Sequence, residues 1–153
     1  MTSVQGGCHC GAIRVHFLPS GRLGDLPVRA CGCTFCRKHG ARTTTDPRAR
    51  LEIEVRDDRR LERYRFGLGT CDFFVCSRCG VYVAAVITEG ERAWATLNVN
   101  TLEPIADDQF AEPTTVHYDL EDRDARIARR MAQWTPTEVR IARAGAAGSP
   151  HGA

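Results

Sequence analysis

The 153-residue sequence lacks the features that define several common classes of protein. No apolar run approaches the about 20 residues of a membrane-spanning helix, so we predict no membrane association. The first residues have neither the basic segment nor the apolar stretch of a secretory signal, and we expect a reducing, cytoplasmic location. The sequence contains no glycine-rich phosphate loop and no internal repeat beyond its paired cysteine motifs. These absences favour one globular domain that is large enough to bury a core of its own.

Lysine is almost absent, since Lys38 is the only one among the 21 basic residues. The arginines are interspersed with 19 acidic residues, which leaves a formal net charge of +2 and no basic stripe of the kind that binds nucleic acid. If seven cysteines bound two zinc ions as thiolates, the net charge would become −1. We therefore predict no nucleic-acid partner.

Helical patterns are scarce, and the sequence predicts a mostly β, α+β fold. Three segments alternate apolar and polar residues as half-buried strands do, and a fourth is apolar on both faces like a central strand. These segments are residues 12–17, 51–55, 93–99 and, apolar throughout, 81–87. Residues 61–66 are expected to form the hairpin partner of residues 51–55.

One helix is predicted, over residues 121–133. Acidic residues at its start and arginines later suit the helix dipole, and Thr135-Pro136 ends it. The side chains expected on its buried face are those of Leu120, Ile127, Met131 and Trp134.

These elements predict a single domain over residues 1–143. Its core is expected over residues 5–120, followed by the C-terminal helix at about 121–134. The small residues of 144–153 predict a flexible tail.

Cysteine, in contrast, is abundant, with eight residues. Three of them follow the pattern C-x-C-x-x-C in Cys31-Gly32-Cys33-Thr34-Phe35-Cys36. Cys33 and Cys36 can face one ion across a tight turn, and Gly32 lets Cys31 join them. Because no fourth ligand is adjacent, the motif favours a zinc ion with an open position, as in catalytic sites. A closed zinc site completed by Cys71 or a histidine, and a disulfide framework, remain alternatives.

Two further cysteine pairs predict a second ion. Cys8 and Cys10 form a C-x-C flanked by glycines, and Cys76 and Cys79 form a C-x-x-C-G knuckle. A zinc ribbon closes its tetrahedron with two such pairs from separate turns. We therefore predict a closed, structural zinc site from these four thiols.

The three motifs together resemble the glutathione-dependent formaldehyde-activating enzyme family, also called the GFA or centromere protein V domain. The resemblance covers roughly residues 5–120 and extends to Asn98 and His117. It implies an Mss4-like zinc-binding fold of small antiparallel sheets, here with one C-terminal helix. It also implies two zinc ions per chain, one structural at Cys8, Cys10, Cys76 and Cys79, and one catalytic at Cys31, Cys33 and Cys36.

The charge of a three-thiolate zinc site predicts its chemistry. Such an ion is a poor generator of hydroxide and is better suited to bind a fourth sulfur. We predict that a thiol such as glutathione binds there and is added to, or removed from, an aldehyde-like electrophile. The resemblance implies the same reaction, that of an S-(hydroxymethyl)glutathione synthase-like carbon–sulfur lyase.

Five further residues are candidates for this site. His39 is a candidate proton carrier next to the motif. Arg37 and Lys38 directly follow Cys36 and could hold a substrate carboxylate, although a solvated turn explains them equally well. Trp94 and Asn98 share one face of a strand and could border a pocket or simply pack.

Two other functional classes remain open. A non-catalytic, zinc-stabilised binding module would hold both ions in closed sites. A thiol redox or metal-buffering protein would use the exposed loop thiols without a small-molecule pocket. The sequence does not determine the oligomeric state, and a homo-oligomer is compatible with it.

Overall fold

The structure, a computed structural model, describes residues 3–103 and 109–144. These residues form twelve strands and two α-helices, which confirms the predicted mostly β fold. None of the described helices is long and apolar enough to cross a membrane. The predicted flexible tail, residues 144–153, lies outside the described residues except for Ala144.

The elements follow one another in a fixed order along the chain. They are β1 (Val4–Gly7), β2 (Ile13–Leu18), β3 (Val28–Cys31), α1 (Thr34–His39), β4 (Thr43–Thr44), β5 (Arg50–Val55), β6 (Leu61–Tyr64), β7 (Asp72–Cys76), β8 (Tyr82–Glu89), β9 (Arg92–Asn98), β10 (Leu102–Glu103), β11 (Thr114–Val116), α2 (Arg123–Gln133) and β12 (Thr135–Ile141).

All twelve strands belong to one mixed sheet, which refines the expectation of small antiparallel sheets. Nine strands lie in the order β10-β1-β2-β5-β12-β9-β4-β3-β11, and β6, β7 and β8 form a branch that joins through the pairing of β8 with β9. Most pairs are antiparallel, but β12 pairs with β5 in parallel, as does β11 with β3. The C-terminal strand β12 thus lies between β5 and β9, in the interior of the sheet.

Alternation in the sequence predicted strand faces correctly. In β2 the side chains of Ile13, Val15 and Phe17 are buried, and β8 is buried from Tyr82 to Ile87. The predicted hairpin between residues 51–55 and 61–66 is wrong, because β6 pairs with β7 instead. Both edges of β5 are already occupied, by β2 and by β12, and a local pattern cannot reveal a partner that lies over 80 residues away.

The predicted C-terminal helix is confirmed as α2. Its N-cap is Asp122, whose side chain accepts a hydrogen bond from the Ala125 N–H at 2.8 Å. Ile127 and Met131 pack toward the core as expected. Leu120 does not, since it precedes the N-cap and is 97% exposed.

A second, short helix, α1, was not predicted and forms within the central cysteine motif. Its N-cap is Cys33, and it ends at Gly40, which adopts the left-handed conformation with φ of 56°. Next to α1 lies the smaller of two buried side-chain clusters, which includes Cys36, Phe73, Tyr82 and Trp134. This cluster connects the cysteine motif to α2.

Candidate metal centre and substrate cavity

The four-cysteine cluster is assembled from two turns that are distant in sequence. The turn after β1 carries Cys8 and Cys10, Cys76 ends β7, and Cys79 lies in the turn between β7 and β8. Their sulfur atoms all lie within 4.8 Å of one another, with 3.7 Å between Cys8 and Cys10 and 3.6 Å between Cys10 and Cys76. Tetrahedral zinc with Zn–S bonds of about 2.3 Å separates its sulfur ligands by about 3.8 Å. The cluster therefore has the dimensions of a four-thiolate metal site.

The pKa values of these four thiols are also compatible with binding of a cation. Burial raises the pKa of Cys8 to about 12 and raises that of Cys76. For Cys79, burial acts in the same direction, but backbone hydrogen bonds from Cys10 and Val81 prevail and lower its pKa to about 6. The buried thiols resist ionisation on their own, whereas a divalent cation would stabilise the thiolates.

The three-cysteine cluster lies where β3 passes into α1. Cys31 ends β3, Cys33 caps α1, and Cys36 lies in its first turn, with the Cys36 N–H 3.4 Å from the Cys33 sulfur. The three sulfur atoms lie within 4.8 Å of one another. The end of β3 and the first turn of α1 thus bring together the three thiols that the sequence spacing singled out.

These three thiols share hydrogen bonds that make their ionisation unequal. Hydrogen bonds from the Cys31 and Cys36 thiols lower the pKa of Cys33 to about 2, and the same contacts raise the pKa of Cys31 and of Cys36. One sulfur therefore ionises readily, and the other two resist ionisation beside it. A bound cation would remove this repulsion, so the donor set fits a metal ion.

No fourth metal-ligating side chain completes the three-cysteine cluster among the described residues. Cys71, one of the predicted alternatives, is buried nearby but is not part of the cluster. All eight cysteines are free thiols, so the disulfide framework is not formed.

The three-cysteine cluster forms part of the wall of a cavity of about 540 Å³. The side of the cavity opposite solvent is apolar and includes Phe73, Tyr82, Ala85 and Trp134. Burial, as the largest cause, and the neighbouring Cys36 raise the pKa of Tyr82 well above its ordinary value, so its phenol stays neutral. The wall of this one cavity therefore combines three potential sulfur ligands with an apolar surface that partly excludes water.

His117 lies beside the loop that carries Cys31, Cys33 and Cys36, although its sequence position is 81 residues beyond Cys36. Strand β11 runs parallel to β3, and the Gly32 N–H donates to the Val116 carbonyl at 2.9 Å. The next residue, His117, places its ring where a side chain on Gly32 would be. The ring also lines the cavity.

Arginines form a further part of the wall. Arg126, Arg129 and Arg130 come from α2, and Arg29 comes from β3. Sequence reasoning assigned the helix to packing and missed this role. The spacing of three and four residues between these arginines was the available signal, since it puts them on one helix face.

The structure does not bring Arg37, Lys38 or His39 to the cavity. All three are exposed on the last turn of α1 and do not line the cavity. The His39 ring instead packs against Phe35, with 4.5 Å between ring centroids. Their catalytic and substrate-binding roles stay predictions that the cavity does not support.

Trp94 and Asn98 share a strand face as expected, but both are buried and neither lines the cavity. The Asn98 side chain donates to the Tyr82 carbonyl at 3.0 Å and accepts from the Asn100 N–H at 3.2 Å. Burial and these contacts indicate a structural role for Trp94 and Asn98. Their positions do not support the predicted role in substrate binding.

The fold and the two clusters define a class: a mostly β protein with one four-cysteine and one three-cysteine cluster, each able to hold a metal ion. Residues 3–120 match the family described as glutathione-dependent formaldehyde-activating enzyme, and the chain belongs to this family. A crystal structure of a Rhodobacter sphaeroides protein from structural genomics is similar, with a TM-score of 0.57 and 29% sequence identity over 73% of this chain and 99% of that chain. Helix α2 and strand β12 lie beyond the residues that match the family.

Proposed function

We propose that this protein is a zinc-dependent carbon–sulfur lyase that adds a thiol such as glutathione to formaldehyde or a related aldehyde and also reverses this addition. Membership of the family implies chemistry of this type. The observation that carries the proposal is the three-cysteine cluster, which has no fourth side-chain ligand among the described residues and forms part of a cavity wall. A purely structural metal site would have no need of such a cavity.

A zinc ion held by Cys31, Cys33 and Cys36 would supply a position at which a substrate thiol is bound as its thiolate. In the addition, the substrate sulfur forms a bond to the carbonyl carbon, the carbonyl π bond breaks, and the thiol proton ends on the new hydroxyl oxygen. His117 is the residue we assign to carrying that proton, because its ring lies beside the cysteine loop and faces the cavity. Its exposed position also lets it exchange protons with solvent.

The four-cysteine cluster has a structural role in this proposal. Four thiolates would leave zinc no position for a substrate, and Cys8 and Cys76 are almost completely buried. Eight free thiols suit a reducing compartment such as the cytoplasm.

The test is to measure, by exchange NMR, how fast glutathione and ¹³C-formaldehyde form their S-hydroxymethyl adduct, a hemithioacetal. We expect the zinc-loaded protein to accelerate the exchange and Cys33→Ser to remove the acceleration. His117→Ala should lower the rate about 100-fold, as expected for loss of a proton carrier. His39→Ala is the matched variant, an exposed histidine outside the cavity, and should retain the rate.

Two results would contradict the proposal. One is an exchange rate equal to that of the uncatalysed mixture with every aldehyde tested. The other is full activity of Cys33→Ser, because the reaction would then not depend on the three-cysteine cluster.

A further inference from the structure

Arg130 is a half-buried cation in the cavity wall and has no carboxylate partner in the part of the chain that the structure describes. Its guanidinium donates to the Thr70 hydroxyl at 2.6 Å, interacts with the Cys71 thiol and lies 4.8 Å over the Trp134 ring. Burial raises the pKa of Cys71, so this thiol does not neutralise the guanidinium. Within the described part of the chain it makes no ion pair with a carboxylate. Arg126 and Arg129 of the same helix differ, because both pair with Glu121 at 3.5 and 2.7 Å.

Leaving a cation partly buried and unpaired costs free energy, which a bound anion can offset. Burial lowers the pKa of Arg130, and its Nε is buried without a hydrogen-bond partner. A guanidinium presents its N–H groups as a rigid fork that matches the two oxygens of a carboxylate. The cavity wall therefore contains a guanidinium that no described carboxylate neutralises and whose shape suits a planar anion.

Arg130 belongs to the C-terminal part of the chain, outside the residues that match the family. It lies on α2, beyond the residues 3–120 that match the family, yet it lines the same cavity as the cysteines. Arg29 of β3 also lines the cavity, lacks an ion pair among the described residues and donates to the Thr45 hydroxyl at 2.8 Å. The charged residues that line the cavity are therefore four arginines, from α2 and β3, and one acidic residue, Asp119, so positive charge is in excess.

We propose that Arg130 binds a carboxylate of the thiol substrate, so that helix α2 makes the cavity selective for carboxylate-bearing thiols over neutral ones. The inference rests on the proposed function for the identity of the reacting group. The carboxylate would take the place of the acidic side chain that Arg130 lacks. The cysteine loop then determines the reaction, and the C-terminal helix determines which thiols undergo it.

The test uses a probe that cannot react. S-methylglutathione, which carries two carboxylates and no thiol, and its diethyl ester are titrated by calorimetry into the zinc-loaded full-length protein. We expect the acid to bind at least about tenfold tighter than the ester, and Arg130→Gln to weaken binding of the acid about tenfold or more while changing the ester little. Arg123→Gln removes the same charge from an exposed position on the same helix and should keep the wild-type preference.

Arg130→Lys is a second variant, in case Arg130→Gln does not fold. Lysine keeps the charge but not the forked arrangement of N–H groups, so this variant should lose part of the preference for the acid. Thermal unfolding of each variant reports whether it is folded. Equal affinity of the wild-type protein for acid and ester would overturn the proposal, as would an unchanged preference in the folded Arg130 variants. Selective binding without any acceleration of thiol addition would instead refute the lyase function and leave the assignment of Arg130 standing.

Discussion

Gly32 illustrates at the scale of one residue how the absence of a side chain shapes the site. It lies between two of the three clustered cysteines, and a Cβ built on it would overlap the ring of His117. Its backbone conformation is not one that requires glycine, so the requirement is for space. The position of the His117 ring against the cysteine loop therefore depends on this glycine.

We expect Gly32→Ala to displace the His117 ring rather than to unfold the protein. The ring is exposed and can rotate away, so the free energy of unfolding should change by less than about 1 kcal/mol. The rate of thiol addition should fall to that of His117→Ala, and the double variant should be no slower than either single one. Rate losses that multiply in the double variant would contradict this account.

Asp46 is a buried carboxylate that joins two distant parts of the fold. It accepts from the N–H and hydroxyl of Ser20 at 2.8 and 2.7 Å and from the Arg48 N–H at 3.0 Å, and its own N–H donates to the Thr135 hydroxyl. Although burial acts to raise its pKa, the hydrogen bonds from Ser20 and Arg48 hold that pKa below the ordinary 3.8.

Asp46→Asn should therefore lower the free energy of unfolding at pH 7 by about 2 kcal/mol. The native carboxylate binds protons less readily than the unfolded one, so its contribution is complete above the ordinary pKa and is lost as the pH falls through the lower native pKa. Urea unfolding at pH 7 and pH 3 should show the difference between variant and wild type shrinking in acid. Asp124→Asn, at an exposed position, is the control, and a difference independent of pH would contradict the assignment.

At the scale of elements, β12 determines how the two parts of the sheet are joined. It pairs with β5 from Leu51 to Val55 on one side and with β9 from Ala93 to Ala95 on the other. Without it, two strands in the interior of the sheet would become unpaired edges. The part of the chain that matches the family, residues 3–120, does not include this strand.

A chain that ends after residue 120 should consequently fail to unfold cooperatively. It loses α2, which packs on the smaller buried cluster, together with the whole of β12. A chain that ends after residue 144 is the control, and we expect its unfolding to match that of the full chain, which also tests the predicted tail. Thermal unfolding followed by circular dichroism distinguishes the two, and a cooperative transition in the shorter chain would disprove the role of β12.

At the scale of the whole molecule, we expect the two cysteine clusters to perform different tasks. The four-cysteine cluster links turns 66 residues apart, between Cys10 and Cys76, next to the larger core. The three-cysteine cluster lies within six residues of one loop and faces a cavity. Binding of metal to the first cluster should therefore contribute to folding, whereas binding to the second should contribute mainly to activity.

We expect two zinc ions per chain in the wild-type protein and one per chain in each of the single variants Cys33→Ser and Cys76→Ser. Cys76→Ser should lower the unfolding temperature by about 10 °C or more, because it removes a metal link between distant turns. Cys33→Ser should lower the unfolding temperature by only a few degrees, because its cluster is local. Elemental analysis and calorimetry provide the measurements, and equal losses of stability in the two variants would contradict the division of tasks.

The sequence by itself determined the features that depend on neighbouring residues. Spacings of one and two residues between cysteines limit which thiols can reach a common ion, and both clusters formed as the motifs indicated. Alternation in β2 and capping of α2 likewise depend on local geometry, so their burial and position could be predicted. The family resemblance followed from the same local motifs.

Only the tertiary structure decided what depends on contacts between distant segments. Three features each join parts of the chain that are far apart in sequence. They are the pairing of β5 with β12, the place of His117 beside Gly32, and the presence of arginines and cysteines in the wall of one cavity. A strand or helix pattern records which side of an element is apolar, but it does not record which other element covers that side. For this reason the sequence led to the clustered thiols, and the fold was needed to find the cavity next to three of them.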